Sequence, residues 1–101
     1  MEKTLAVLYE TLSSKEIEKI VQILLSDLER YKNARVKLST ALKTTFQIFS
    51  FLVPHAVLNN DMKQAKIYAG VVLLAGALLL TENRSYKAVI QKLNEVLEKL
   101  K

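Results

Sequence analysis

Between Lys32 and Thr81 the only acid is Asp61, in a run that is otherwise mostly apolar, small or basic. Within it, Phe46 to Leu58 and Ile67 to Leu80 are apolar on nearly every helical face, and Asn59-Asn60-Asp61 separates them. A helix that is apolar all round must be buried, either in lipid or against protein. Gly70, Gly76 and Pro54 are the only Gly and Pro residues among 101. So few turn-formers exclude a β protein, and the expected class is all-α. This length holds one domain with one core, residues 1–101.

The apolar spacing sets the expected architecture. Leu5, Leu8 and Leu12 share one side of a short N-terminal helix within residues 1–13, too short to persist without tertiary packing. Ser13-Ser14-Lys15-Glu16 has the spacing of a capping box, flanked by Leu12 and Ile17 as a hydrophobic staple. From Ser14 onward, Val21, Leu24, Leu28, Tyr31, Arg35, Leu38, Leu42, Thr45, Phe49 and Leu52 recur at steps of three and four. This is a seam of period 3.5, broken in chemistry only at Arg35 and Thr45. Pro54 predicts the end of that first long helix, 14–53, followed by a turn over 54–61. A matching seam, from Ala65 through Val72, Gly76, Tyr86 and Leu93 to Leu100, predicts a second long helix over 62–101. The polar cluster at 81–85 is the one place where it could break.

Two seams joined by a short turn predict a long antiparallel helical hairpin that packs into an oligomeric helical bundle. Its arms would be roughly 58 Å long. The hairpin folds about residue 57, or about residue 60 if the first helix passes through Pro54.

Ten apolar residues lie off the seam: Phe46, Ile48, Phe51, Val53, Ile67, Val71, Leu73, Leu74, Leu78 and Leu80. Leaving them in water would forgo on the order of 15 kcal/mol. A partner is therefore expected to cover them, with Phe46, Ile48, Phe51, Val71, Leu74 and Leu78 as the candidate self-association residues. Lipid is the alternative cover. Ala65 to Thr81 carries only Lys66 and meets the lower length limit of a span, whereas Ala41 to Leu58 contains Lys43, Gln47, Pro54 and His55. In that arrangement both termini would be cytoplasmic, with Tyr31 and Tyr86 at the interface.

The net charge of +5 is unevenly placed. Arg30, Lys32, Arg35, Lys37 and Lys43 precede the apolar segments without an intervening acid, and Arg84 and Lys87 follow them. These seven form a candidate collar for phosphates of a nucleic-acid backbone or of lipid headgroups. With no stacking platform and no recognition helix beside it, such contact would not be sequence-specific.

Little in the chain points to chemistry. With no cysteine there is neither a disulfide nor a thiolate metal site. His55 is the sole histidine and has no carboxylate within five residues in sequence, which predicts a plain polar residue rather than a metal ligand. Ser13, Ser14, Ser39 and Thr40 have no base nearby in sequence, and no Gly-rich phosphate loop is present. The expectation is a protein that is not an enzyme and takes no cofactor. Met1-Glu2-Lys3 opens without an apolar run, so no secretory signal is expected.

The Asn59-Asn60-Asp61 turn, the two apolar segments and their basic flanks together resemble the hydrophobic helical-hairpin coat proteins of archaeal spindle-shaped and filamentous viruses. That resemblance implies hairpins packed side by side into a shell, with basic positions toward DNA and a virion location. Arg30-Tyr31-Lys32 ahead of two short apolar helices also resembles two-transmembrane pore-type effectors of bacterial defence systems. The functional expectation is a self-assembling structural subunit with a non-specific polyanion contact. A two-span membrane protein and a soluble dimeric bundle that binds a partner protein are the alternatives.

Overall fold

The computed structural model describes residues 2–81 and 85–100. Among them are five helices and no strand: α1 (Glu2–Thr11), α2 (Ser14–Asn33), α3 (Leu38–Leu58), α4 (Met62–Leu80) and α5 (Tyr86–Leu100). The protein is all-α. Its longest dimension is 36 Å, so the two arms are not straight rods. Each seam is broken once, and the pieces fold back into one bundle.

The first break explains the polar intruder in the seam. Arg35 has a φ of 60°. Its N–H donates to the Lys32 carbonyl, and the Val36 N–H reaches back to the Tyr31 carbonyl, both at 3.0 Å. This pair of bonds is a Schellman cap, with Arg35 in the left-handed position that glycine usually fills. The expected helix over 14–53 is therefore corrected to α2 and α3, separated by residues 34–37. Arg35 is an exposed cap residue and not a member of a continuous seam. No Gly or Pro marks this break, so only the misplaced charge signals it.

The same cap closes α3. Asn60 has a φ of 59°, its N–H bonds the Val57 carbonyl at 3.0 Å, and the Asp61 N–H bonds the Ala56 carbonyl at 2.9 Å. α3 runs through Pro54, which is exposed. The carbonyl of Ser50 that proline leaves without its amide partner can then bond water, so the helix tolerates the ring. The turn predicted over 54–61 shrinks to 59–61, and Asp61 caps α4 by accepting from the Gln64 N–H at 3.2 Å. Phe46 against Gly76 and Val36 against Tyr86 are both centred on residue 61. The register is thus the one that carries the first arm past Pro54. In the second arm, Thr81 is extended and ends α4, while the Ser85 hydroxyl accepts from the Ala88 N–H and starts α5. Residues 82–84, and with them Arg84, lie outside the described residues.

The capping box at α2 forms in full. Ser13 Oγ accepts from the Glu16 N–H at 3.2 Å, and Glu16 Oε1 accepts from the Ser13 N–H at 3.0 Å. The Ser13 N–H on the carboxylate lowers the Glu16 pKa most, and the Ser13 hydroxyl lowers it next; Lys66 and Lys63 add to the effect against a smaller rise from desolvation.

One core joins all five helices. α3 and α4 make the most extensive helix pair, and α2 lies against α3, α4 and α5. α2 presents Ile17, Ile20, Val21, Leu24 and Leu28, all essentially inaccessible, to the same core as Ile67, Val71, Leu74 and Leu78 of α4. At Gly70 the approach is close enough that an added Cβ would lie 2.2 Å from Ile20 Cδ1. Folding α2 back therefore covers four off-seam side chains, at about 1.5–3 kcal/mol each. A straight hairpin would leave them wet.

Candidate functional site

Two surfaces remain once the core is formed. The first is apolar. Phe46, Ile48 and Phe51 are exposed at 38%, 45% and 79%. Val71, Leu74 and Leu78 are buried inside the single chain, which corrects their assignment as self-association residues, because α2 and the rest of the core already cover them. Val57, Leu58, Met62, Leu73 and Leu80 are also exposed, Leu58 and Leu80 by more than four-fifths. Val57, Leu58 and Met62 escape a seam-based reading because they flank the turn, where helical periodicity gives no face.

Local structure shapes this surface. The Phe46 ring lies over Gly76, whose missing Cβ would stand 3.1 Å from Phe46 Cε2. Beyond it Ser50 and Val53 of α3 and Ala69, Val72 and Leu73 of α4 line a shallow groove of about 350 Å³. Leu73 and Ala69 also border a second groove, shared with Leu8, Thr11 and Leu12. The outer side of α4 is thus a ridge with a furrow on each flank. α3 and α4 are each long and apolar enough to cross a membrane.

The second surface is basic. Tyr86 Oη donates to the Val36 carbonyl and pins the start of α5 to the α2–α3 turn. Burial raises the Tyr86 pKa, and the phenol of Tyr31 raises it further. This junction gathers Arg30, Lys32, Arg35, Lys37 and Lys87 at one end of the bundle, all five exposed. Arg30 bonds Asp27 Oδ1 at 3.2 Å and stacks on the Tyr31 ring at 5.3 Å. Burial raises the Asp27 pKa, and Arg30 opposes that rise. Lys37 is the N-cap residue of α3 and supplies no side-chain cap. Lys43, exposed, lies about 9 Å farther along α3.

Two further polar groups belong to α3. His55 is exposed, with Nε2 3.2 Å from Asn59 Nδ2. Thr45, the other seam intruder, is fully buried, and its Oγ1 has no hydrogen-bond partner. Among the described residues no three His, Asp or Glu side chains converge as a metal site would require.

Fold and surfaces together define a five-helix bundle, among the described residues, with an apolar hairpin face and a basic end. No protein-family model matches the chain, and no curated protein and no solved structure matches it either.

Proposed function

We propose that this protein is a non-enzymatic subunit that assembles with copies of itself through the apolar α3–α4 face and meets a polyanion with its basic end. The observation that supports this reading is where the exposed large apolar residues fall. Apart from Val7 and Tyr9, all of them are on α3 or α4: Phe46, Ile48, Phe51, Val57, Leu58, Met62, Leu73 and Leu80. A monomer that works alone in water rarely exposes a contiguous apolar patch above a few hundred Å². α1 and α2 already lie against the other side of this pair, so the remaining need is for an external cover on one side. A coat- or filament-type assembly is the form of this role that the resemblance to hairpin coat proteins implies. The basic end supplies contacts of the backbone-neutralising kind, whose affinity falls steeply with salt.

Sedimentation in detergent-free buffer tests the reading. A dimer or larger species is expected, and a monomer at every concentration would sink it. The length and all-round apolarity of α3 and α4 favour a second reading, in which the hairpin enters a bilayer. Flotation with vesicles separates the two: complete recovery in the lipid-free fraction removes the membrane reading.

A further inference from the structure

The α3–α4 hairpin is tied to the rest of the chain at one end only. Its antiparallel register brings Leu38 and Leu80 to the same end, and the Tyr86–Val36 bond holds the start of α5 there as well. At the opposite end the turn at 59–61 joins α3 to α4 and nothing else. α2 lies against the inner side of the hairpin, and α5 packs on α2. The hairpin can therefore swing away from α1, α2 and α5 about its basic end without one segment having to cross another.

We infer that the hairpin leaves the bundle in this way and enters an anionic phospholipid bilayer tip first, its basic end staying at the headgroups. This arrangement rests on the bilayer reading above and specifies how the hairpin gets there. Length fits: with 21 and 19 residues, α3 and α4 are about 31 and 28 Å long, against a hydrocarbon core of about 30 Å. Charge is layered to match. Neither 44–60 nor 67–81 contains Lys, Arg, Asp or Glu. Lys43 and Lys66 lie about 6–8 Å inside the two ends, within reach of the headgroups along a lysine stem. The five cations of the basic end, less Asp27 and Glu29, leave +3, whereas Lys63 and Lys66 less Asp61 leave +1 at the tip. The less charged end crosses, and the basic end meets acidic lipid. Exposure also favours an apolar solvent over one facing helix. Phe46, Ile48, Phe51, Val57 and Leu58 of α3 are all exposed, yet they spread over about 200° of its circumference, wider than a single packing stripe. Once uncovered, α2 is apolar along one stripe and charged opposite it, the kind of helix that lies in the membrane interface. In water the outer face is left to the self-association proposed above, and lipid competes for it.

The chain has neither cysteine nor tryptophan, so a lock and a depth probe can be added cleanly. A Cβ at Gly70 would stand 2.9 Å from Ile20 Cγ1 and 3.6 Å from Ile20 Cγ2, with Ile20 Cβ no nearer. One C–C bond beyond Cγ1 puts the two Cβ atoms about 3.6–4.4 Å apart, the separation a disulfide bridges. Ile20→Cys with Gly70→Cys therefore locks α2 to α4 when oxidised. Phe51→Trp, at an exposed site near the middle of α3, is added to report depth. The vesicles are phosphatidylcholine with phosphatidylglycerol, brominated near the acyl-chain ends. Reduced protein is expected to float with them and lose about half or more of its tryptophan emission, and oxidised protein to keep nearly all of it. If the oxidised form is quenched as strongly as the reduced one, the swing-out is wrong and the bilayer reading stands. If the lock never forms, α2 does not lie on α4 and the swing-out falls with it. Reduced protein that does not float, or that floats without quenching, overturns both.

Discussion

Gly70→Ala separates the folded-back bundle from the straight hairpin by sign. In a helix interior, replacing glycine with alanine gains about 1 kcal/mol from backbone entropy. Here the new Cβ would lie 2.2 Å from Ile20 Cδ1 and 2.9 Å from Ile20 Cγ1, where carbon pairs rest near 3.5–4.0 Å. Ile20 is wholly inaccessible and packed inside the shared core, so it cannot move aside without displacing neighbours. Overpacking of this kind costs about 1–3 kcal/mol, which leaves a net loss of about 1 kcal/mol, or roughly 4–8 °C in Tm for a domain this small. Ile20→Val removes the closest atom and costs about 1 kcal/mol alone. Combined with Gly70→Ala, it is expected to recover at least 1 kcal/mol of coupling. Thermal and urea melts followed by circular dichroism measure all four proteins, at one fixed concentration because association shifts Tm. If Gly70→Ala raises Tm and shows no coupling to Ile20, helix propensity alone is acting and α2 does not lie on α4.

Four further outcomes follow from named contacts. Arg35→Gly relieves the left-handed backbone and is expected to stabilise by about 0.5–1 kcal/mol. A continuous helix through residue 35 would instead lose about 1 kcal/mol, and urea midpoints tell the two apart. Thr45→Val removes a buried hydroxyl without a partner and is expected to gain about 1 kcal/mol; an unchanged or lower Tm would mean that the hydroxyl is satisfied. The Glu16 pKa lies below its ordinary value of 4.5, so its contribution is fully present above that pH and is lost as pH falls through the lower, folded-state value. Glu16→Gln should flatten the acid limb of stability against pH, and an unaltered limb would assign it to other groups. Lys37→Glu with Lys87→Glu should weaken binding to duplex DNA and reduce the salt slope of log K by about 2, and an unchanged slope would place the polyanion contact elsewhere.

Much of the fold is legible in the residues. The Ser13–Glu16 box, the Asn59-Asn60-Asp61 turn and the Asp61 cap all form, because short-range hydrogen bonding decides them. The break at 34–37 is hidden because its left-handed residue is an arginine. Arg35 disturbs the seam and is the one sign of it. Ile17 and Ile20 carry the clue to the back-folding. With Val21, Leu24 and Leu28 they widen the apolar stripe of α2 beyond a two-helix seam, as befits a helix packed into a globular core. Weighing α4 by its own periodicity alone leaves Val71, Leu74 and Leu78 without a cover, when the cover is this wider stripe earlier in the same chain. The basic end is legible from the charge run, since exposed charge needs no tertiary knowledge. Its clustering depends on the Tyr86–Val36 bond, which joins positions fifty residues apart.

The central claim is that copies of this bundle meet through the outer face of α3–α4. Sedimentation velocity of the unmodified protein beside Leu73→Lys and Leu80→Lys, without detergent and over a hundred-fold concentration range, tests it most directly. The unmodified chain is expected to sediment as a dimer or larger, and both variants as monomers with unchanged helicity, since both side chains stand exposed outside the core. Unmodified protein that stays monomeric throughout, or lysine variants that associate as well as it does, would contradict the claim.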